Sequence, residues 1–336
     1  MPGNVEFAKL ADKMRGRAKE LLRDGSVSRV LGWERGEFFY DRTPAFFDSE
    51  AELDGLVYDG FSSAMLSKYL IVAIKNNDAK ILVFLKPCDT YGLNLLLKEH
   101  RVEREKVYII GVDCSGLLDV AKIRAGGVKS VKSIDESGTD VVVGTRSGDR
   151  TFARRDILLK KCLSCKGTEF MIQDESLGSE PAELPFEIED RFARVAELEK
   201  MSPQERFAFW RGELSRCIRC NACRNACPVC SCNACLFDNP RSGVASKASA
   251  DSFEDSMFHI VRAFHVAGRC SDCGECGRVC LQNIPLHLLN RKFIKDINEF
   301  YGEFQAGADI ESKSPLMDYK TGDVEPNVIG RRGGGS

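Results

Sequence analysis

The sequence predicts two fold classes in succession: an α/β domain with a parallel or mixed sheet, then a mostly helical, cysteine-rich domain. Three observations carry this reading. Unbroken apolar runs at residues 81–85 and 107–112 alternate with helical periodicity, as expected of strands covered on both faces. Residues 176–190 turn acidic and hold Pro181 and Pro185, which suits a connection. Beyond it, the spacing C-x2-C-x2-C-x3-C occurs twice, at residues 217–227 and 270–280.

The elements follow in order. Residues 5–23 read as an amphipathic helix with Asn4 as its cap, Leu10, Met14, Leu21 and Leu22 as its stripe, and Gly25 past its end. A short strand over 27–32 leads into a loop rich in aromatics (Trp33, Phe38, Phe39, Tyr40, Phe46, Phe47), read as core filling. After the short apolar run 56–58, residues 61–75 have helical spacing. The strand at 81–85, a helix over 91–99 and the strand at 107–112 come next. Shorter strands are expected at 128–132 and 141–144, with a turn at Ser147-Gly148-Asp149. In the second half, Ser202-Pro203-Gln204-Glu205 is a capping box with proline at the first helical position, opening a helix towards Ser215. Residues 239–251 read as an exposed loop, and Ser252 caps a helix presenting Phe258, Val261 and Phe264. A last helix over 285–300 is expected to bury Leu286, Leu289, Phe293, Ile297 and Phe300. The resulting division is an α/β domain over 1–185, a helical connection over 186–215, a cysteine-rich domain over 216–300 and a tail over 301–332. That tail is expected to drape over a partner or be mobile, and residues 333–336 read as an appended linker.

Composition narrows the class. With Lys+Arg 48 against Asp+Glu 50, the chain carries a formal charge of −2, and no electrostatic footprint for nucleic acid stands out. The N-terminus becomes charged before an apolar run forms, so no secretory signal is expected. No stretch approaches the roughly 18 apolar residues of a membrane span. Fifteen cysteines in a secreted chain would mean disulfides; here their spacing implies a reducing cytoplasm that keeps thiolates free for metal.

The repeated run is the spacing by which bacterial-type ferredoxins hold two 4Fe-4S clusters, the fourth cysteine of each run crossing to the other cluster. The assignment is Cys217, Cys220, Cys223 and Cys280 on one cluster, and Cys270, Cys273, Cys276 and Cys227 on the second. Structural zinc is the alternative, but zinc is usually held by two C-x2-C pairs per site. Cys88 and Cys114 follow the two apolar strands, and Cys162 and Cys165 form a C-x2-C pair. The C-terminal ends of parallel strands are where such folds bind cofactors, so these four make a candidate site, or else are separate buried thiols. Cys230, Cys232 and Cys235 remain. They suit zinc or a further cluster, with His259, His265 or Asp238 as a fourth ligand.

The stretches Leu85-Lys86-Pro87-Cys88-Asp89, Gly111-Val112-Asp113-Cys114 and Lys161-Cys162-Leu163-Ser164-Cys165 resemble the beta subunits of coenzyme F-420-type hydrogenases and formate dehydrogenases. The resemblance spans roughly residues 25–175. It implies FAD in an α/β domain, with Cys88, Cys114, Cys162 and Cys165 holding a flavin-proximal 4Fe-4S cluster. It also implies electron passage between a catalytic partner subunit and a soluble carrier. Where relatives carry a glycine-rich loop, this chain has Asp59-Gly60-Phe61-Ser62-Ser63. The N–H groups of Gly60, Ser62 and Ser63 could receive a pyrophosphate, or the turn could simply cap a helix. Lys86 and Asp89 are expected beside the flavin. The function that follows is an electron-transfer, FAD-containing beta subunit of a cytoplasmic multi-subunit oxidoreductase. Its alternatives are a flavin-free wiring and docking subunit, and a metal-stabilised scaffold.

Overall fold

The computed structural model describes residues 7–76, 79–136, 140–178, 184, 186–239, 241 and 252–318. The first helix, α1 (Phe7–Arg23), buries Leu10, Met14, Ala18 and Leu21 along one face, and Gly25 beyond it takes a positive φ of 75°. The expected cap, Asn4, lies outside the described residues.

Five strands form the main sheet: β1 (Arg29–Arg35), β2 (Arg42–Phe47), β3 (Ile81–Leu85), β4 (Val107–Gly111) and β8 (Glu175–Ser176), in the order β2-β1-β3-β4-β8. β2 runs antiparallel to β1, and the remaining pairs are parallel. The mixed sheet is therefore as expected, and β3 is buried at every residue. The strand β2 lies within residues read as a loop, because Pro44 interrupts its pattern. Proline is tolerated there because β2 is an edge strand, where a missing N–H breaks no inner ladder. Strands β5 (Val131–Asp135), β6 (Asp140–Thr145) and β7 (Gly148–Ala153) make a separate antiparallel sheet. β5 starts later than expected, after Gly127 and Ser130 take positive φ.

Four short helices belong to this half: α2 (Ser67–Ala73), α3 (Pro87–Lys98), α4 (Val120–Ala125) and α5 (Lys160–Leu163). The helix expected over 61–75 begins only at Ser67. Residues 59–66 are instead folded into turns whose carbonyls at Ser62 and Ala64 accept hydrogen bonds from Lys86 Nζ. Helix α3 begins at Pro87, four residues earlier than expected, with proline at its first position.

The second half is helical: α6 (Ala193–Glu199), α7 (Pro203–Leu214), α8 (Ala222–Asn225), α9 (Ser252–His265), α10 (Glu275–Arg278) and α11 (His287–Tyr301). Ser202 and Glu205 form the expected capping box. Phe258 is buried, whereas Phe264 is exposed and meets the Phe293 ring edge-on. The buried face of α11 is also rotated from the expected one. It presents Leu288, Asn290, Arg291, Ile294 and Ile297, while Phe300 is exposed. The reason is polar: Arg291 Nε donates to buried Asp272 at 2.7 Å, and Asn290 faces Cys276. The loop expected over 239–251 lies almost wholly outside the described residues. Among the described residues, no helix is long and apolar enough to cross a membrane.

The two halves are tied together. Arg269 grips Glu99 through two nitrogens at 2.7 Å, Arg101 donates to Asn233 at 2.9 Å, and Gly92 gives Pro228 room to approach α3. The tail also differs from expectation up to residue 318. Asn94 donates to the Gly307 carbonyl at 2.9 Å, and Ser314 is buried, so the tail packs on its own α3. Gly307 has φ 83°, and a Cβ there would stand 2.2 Å from the Tyr91 carbonyl oxygen. Gly307→Ala is accordingly expected to release this strap. Amide hydrogen exchange over residues 303–318 should accelerate while exchange in β3 and β4 stays unchanged.

Candidate functional site

Among the described residues, three cavities are ringed by cysteines, four in each of two and five in the other. In the first half, β3 ends at the turn that opens α3, which places Cys88 in its first helical turn; Cys114 lies three residues beyond β4, and α5 carries Cys162. Cys88, Cys114, Cys162 and Cys165 line one cavity, together with Lys161, Lys166, Phe186 and Cys273. Cys217, Cys220, Cys223 and Cys280 line a second, beside Phe258 and His259. Cys227, Cys270, Cys273 and Cys276 line the third, beside Asn290 and His287. Cys280 and Cys227 each stand with the other run's first three cysteines. Cys273 lies on two cavities, so the first-half cage and the Cys270 cage are adjacent.

The two cysteine loops are built alike. Two and four residues after the first cysteine, each chain takes positive φ, at Arg219 and Asn221 and at Asp272 and Gly274. For Arg219 and Asp272 this is a costly conformation, of order 1–3 kcal/mol. It turns the backbone inwards, so that Arg219 N–H donates to Cys217 Sγ at 3.3 Å and Asp272 N–H to Cys270 Sγ at 3.4 Å. Further donors face the sulfurs: Ile284 N–H to Cys280 at 3.4 Å and Leu117 N–H to Cys162 at 3.4 Å. His259 Nε2 lies 3.1 Å from Cys217 Sγ. Burial, with the Arg262 and Arg219 charges, pushes the His259 pKa down to about 3, so the neutral ring can donate to sulfur.

Burial also pushes the thiols of Cys276 and Cys162 up to about 12, and those of Cys223 and Cys273 up to about 11. Metal loading must displace these protons. Buried Arg262 donates to the Cys223 carbonyl at 2.9 Å and faces Cys227 and Cys276 as well, a positive charge between the two cages of the second half. Among the described residues, no three Cys, His or carboxylate groups converge closely enough for a single metal ion. The thiols instead ring open space, and an all-thiolate set of four with N–H donors at sulfur fits a 4Fe-4S cluster rather than a zinc tetrahedron.

A buried ion network joins the adjacent cages. Lys161, beside Cys162, bonds Glu275, beside Cys276, and Arg278 holds the same carboxylate at 2.7 Å. Burial alone would raise the Glu275 pKa, but these two cations bring it down to about 2.

Several expected residues serve other ends. The Gly60, Ser62 and Ser63 turn opens no helix, and its N–H groups are already occupied. Gly60 donates to Glu136, Phe61 to the Asp59 carboxylate, Ser62 to the Asp59 carbonyl and Ser63 to the Phe61 carbonyl. Asp89 is fully buried and accepts from Leu66 and Ser67 N–H, capping α2. Lys86 is fully buried, bonded to two carbonyls and 4.1 Å over the Trp33 ring. Neither side chain is free for a flavin. Cys230, Cys232 and Cys235 do not form a further cage: Cys230 packs in one apolar cluster with Cys227, Cys235 packs against the separate cluster that holds Phe237, and Cys232 is exposed. His265 is exposed, and Asp238 pairs with Arg224.

A large cavity of about 890 Å³ adjoins the Gly60 turn. Arg35, Phe38, Phe39, Tyr58, Phe61 and Lys132 are among its walls; of the aromatics at 38–40, Phe38 is exposed at the cavity, while Phe39 and Tyr40 pack against the apolar cluster around Phe61, as expected of core filling. Its wall residue Tyr58 is buried, donates to the Asp113 carbonyl at 2.8 Å and neighbours Cys114, so one ring connects cavity and cage. Sequence reading missed this cavity because its walls come from α1, β1, β5 and the turn at 57–61.

A family model described as 4Fe-4S dicluster domain matches residues 213–284. The F420-dependent formate dehydrogenase subunit beta of Methanocaldococcus jannaschii is 24% identical over 338 residues, covering 82% of this chain and 87% of that protein. The F420-dependent formate dehydrogenase 1 subunit beta of Methanococcus maripaludis is 24% identical over 371 residues, covering 89% and 91%. A solved structure of the F420-reducing [NiFe] hydrogenase complex from Methanosarcina barkeri, a xenon derivative, aligns at a TM-score of 0.40 with 13% identity. That alignment covers 64% of this chain and 91% of that one.

If Lys86 is a support for the turn and not a flavin contact, Lys86→Met should lower the thermal midpoint, with a cost of about 1–3 kcal/mol, because the Ser62 carbonyl loses its donor and the Ala64 carbonyl keeps only the Trp33 N–H at 3.3 Å. Iron and extractable cofactor should remain at parental levels; their loss at unchanged stability would contradict this assignment.

Proposed function

We propose that this chain is the electron-transfer beta subunit of a multi-subunit oxidoreductase of the formate dehydrogenase or hydrogenase type, passing electrons between a catalytic partner and a soluble carrier. The observation that carries the reading is a pair of links between cages: Cys273 lies on both the first-half and the Cys270 cavities, and the crossing of Cys227 and Cys280 between the two runs joins the Cys270 cage to the Cys217 cage. Cys217, Cys220, Cys223 and Cys280 would hold one 4Fe-4S cluster, and Cys227, Cys270, Cys273 and Cys276 the next. Cys88, Cys114, Cys162 and Cys165 would hold the third. The similarity to two F420-dependent formate dehydrogenase beta subunits over most of this chain supports the setting, and the thiol-rich sequence fits a cytoplasmic one. The domain division is 1–185, 186–215, 216–300 and 301–332.

FAD belongs in the 890 Å³ cavity, which has the size of a small-molecule or cofactor site. Arg35 and Lys132 supply positive charge for its phosphates, and Phe38, Phe39 and Phe61 supply apolar walls. Clusters move single electrons and a flavin adds two-electron or hydride chemistry. The protein's own part is to exclude water, point N–H groups at sulfur and hold Tyr58 between cavity and cage. A flavin-free wiring subunit is the second reading, favoured by the occupied N–H groups of the Gly60–Ser63 turn.

In protein prepared anaerobically, iron and sulfide are expected in amounts sufficient for three such clusters. Zinc in place of iron would overturn the proposal. Cys280→Ser should damage the cluster at Cys217, Cys220 and Cys223, visible by electron paramagnetic resonance, and spare the one at Cys270, Cys273 and Cys276. Cofactor extraction separates the two readings: FAD at stoichiometric level is expected, and iron in full without flavin would establish the wiring subunit instead.

A further inference from the structure

We propose that Cys230 is a reserve ligand for the cage of Cys270, Cys273 and Cys276, able to take the place of Cys227. The inference rests on that cage holding a cluster, as argued above, and adds a thiol that the repeated spacing does not count.

Three observations place it there. Cys227, Pro228, Val229 and Cys230 form a tight turn in which Cys230 N–H donates to the Cys227 carbonyl at 3.2 Å. The turn brings the two thiols within hydrogen-bonding reach of each other. Val229, between them, lines the cage, and Cys230 packs in one apolar cluster with Cys227 and Cys270. The surroundings also suit a second thiolate. Arg262 is 5% exposed, faces Cys227, Cys230 and Cys276, and leaves its Nε–H without a hydrogen-bond partner among the described residues. Lys68 Nζ donates to the Cys230 carbonyl. Two cations therefore stand beside the pair, and a buried thiolate needs such compensation.

The exchange is a ligand substitution. The iron–sulfur bond to Cys227 breaks, one to Cys230 forms, and the proton of Cys230 passes to the released Cys227 thiolate. No electron is transferred. Cys227 is the ligand whose loss is easiest to repair, since it reaches this cage from the other loop while its three partners share residues 270–276.

The test uses the full chain, loaded anaerobically, with alanine replacements so that no hydroxyl stands in for sulfur. Cys227→Ala is expected to keep this cluster with altered electron paramagnetic resonance g-values, and the Cys227→Ala/Cys230→Ala double variant to lose it. Loss from the single variant as complete as from the double would overturn the proposal. Should Cys227→Ala fail to fold, Cys230→Ala decides, because it leaves the resident ligand in place. With EDTA it should release iron from this cage several-fold faster than the parent, and an unchanged rate would overturn the proposal. Cys273→Ala separates the two levels of argument: a spectrum identical to the parent would mean that the cage holds no cluster, a failure of the underlying reading.

Discussion

Lys161 and Glu275 meet in the interior, between the C-x2-C turn of the first half and the second cysteine loop, and the relation between the cages depends on that contact. Glu275 is 1% exposed, and a single cation would leave it only partly compensated; Arg278 supplies the second. Removing one partner of such a pair strands a buried charge, typically at a cost of 3–5 kcal/mol. The network therefore does little for net stability compared with apolar packing, but it penalises every arrangement in which the two loops drift apart. Gly274 completes the joint: a Cβ there would lie 2.5 Å from Lys161 Cβ, so only glycine lets the loop close on α5.

The same logic extends through the second half. Arg291 and Arg191 reach Asp272 in the second loop, while Arg219 lies 3.7 Å from Asp255 and 4.1 Å over the Phe258 ring in the first. Each loop is strained two residues after its first cysteine, at Arg219 and Asp272, and each of these two residues is anchored by a buried ionic contact from a neighbouring helix. Strain of this kind persists only where the surroundings over-determine it. Here the return is an inward-facing N–H at the first cysteine of each run. Such donors stabilise negative charge on sulfur, the charge that a reduced cluster places there.

Much of this was legible in the cysteines because their spacing is a local geometric constraint. The cross-pairing of Cys280 and Cys227 and the meeting of Cys88, Cys114, Cys162 and Cys165 both appear in the fold. Strand β3 was legible because burial on both faces leaves only apolar residues. The two misplaced helices share one cause, a polar side chain doing tertiary work that periodicity does not record. Arg291 and Asn290 turned α11 away from its apolar phase, and Asp89 and Lys86 shortened the helix expected at residue 61. Strand β2 was hidden by Pro44, acceptable only because the strand is at an edge. The cavity was invisible because no single segment encodes it.

The loss of the Gly60–Ser63 turn as a phosphate cradle has a physical consequence for any cofactor in the adjoining cavity. With those N–H groups bonded within the protein, anion recognition must come from side chains, and several cations there are already engaged. Arg42 pairs with Asp59 at 2.6 Å, and Arg15 donates to the Leu56 carbonyl. Arg35 and Lys132 lie on the outer wall, where solvent weakens their pull. Binding would then draw more on the aromatic walls than on charge, and would depend less on ionic strength than capture by a helix N-terminus. Tyr58 is the fixed point of this arrangement. It is flanked by the Phe7 and Trp33 rings, at 5.5 and 5.2 Å between centroids, and held by the Asp113 carbonyl at its hydroxyl, so its position in the wall between cavity and cage is set by contacts within the protein.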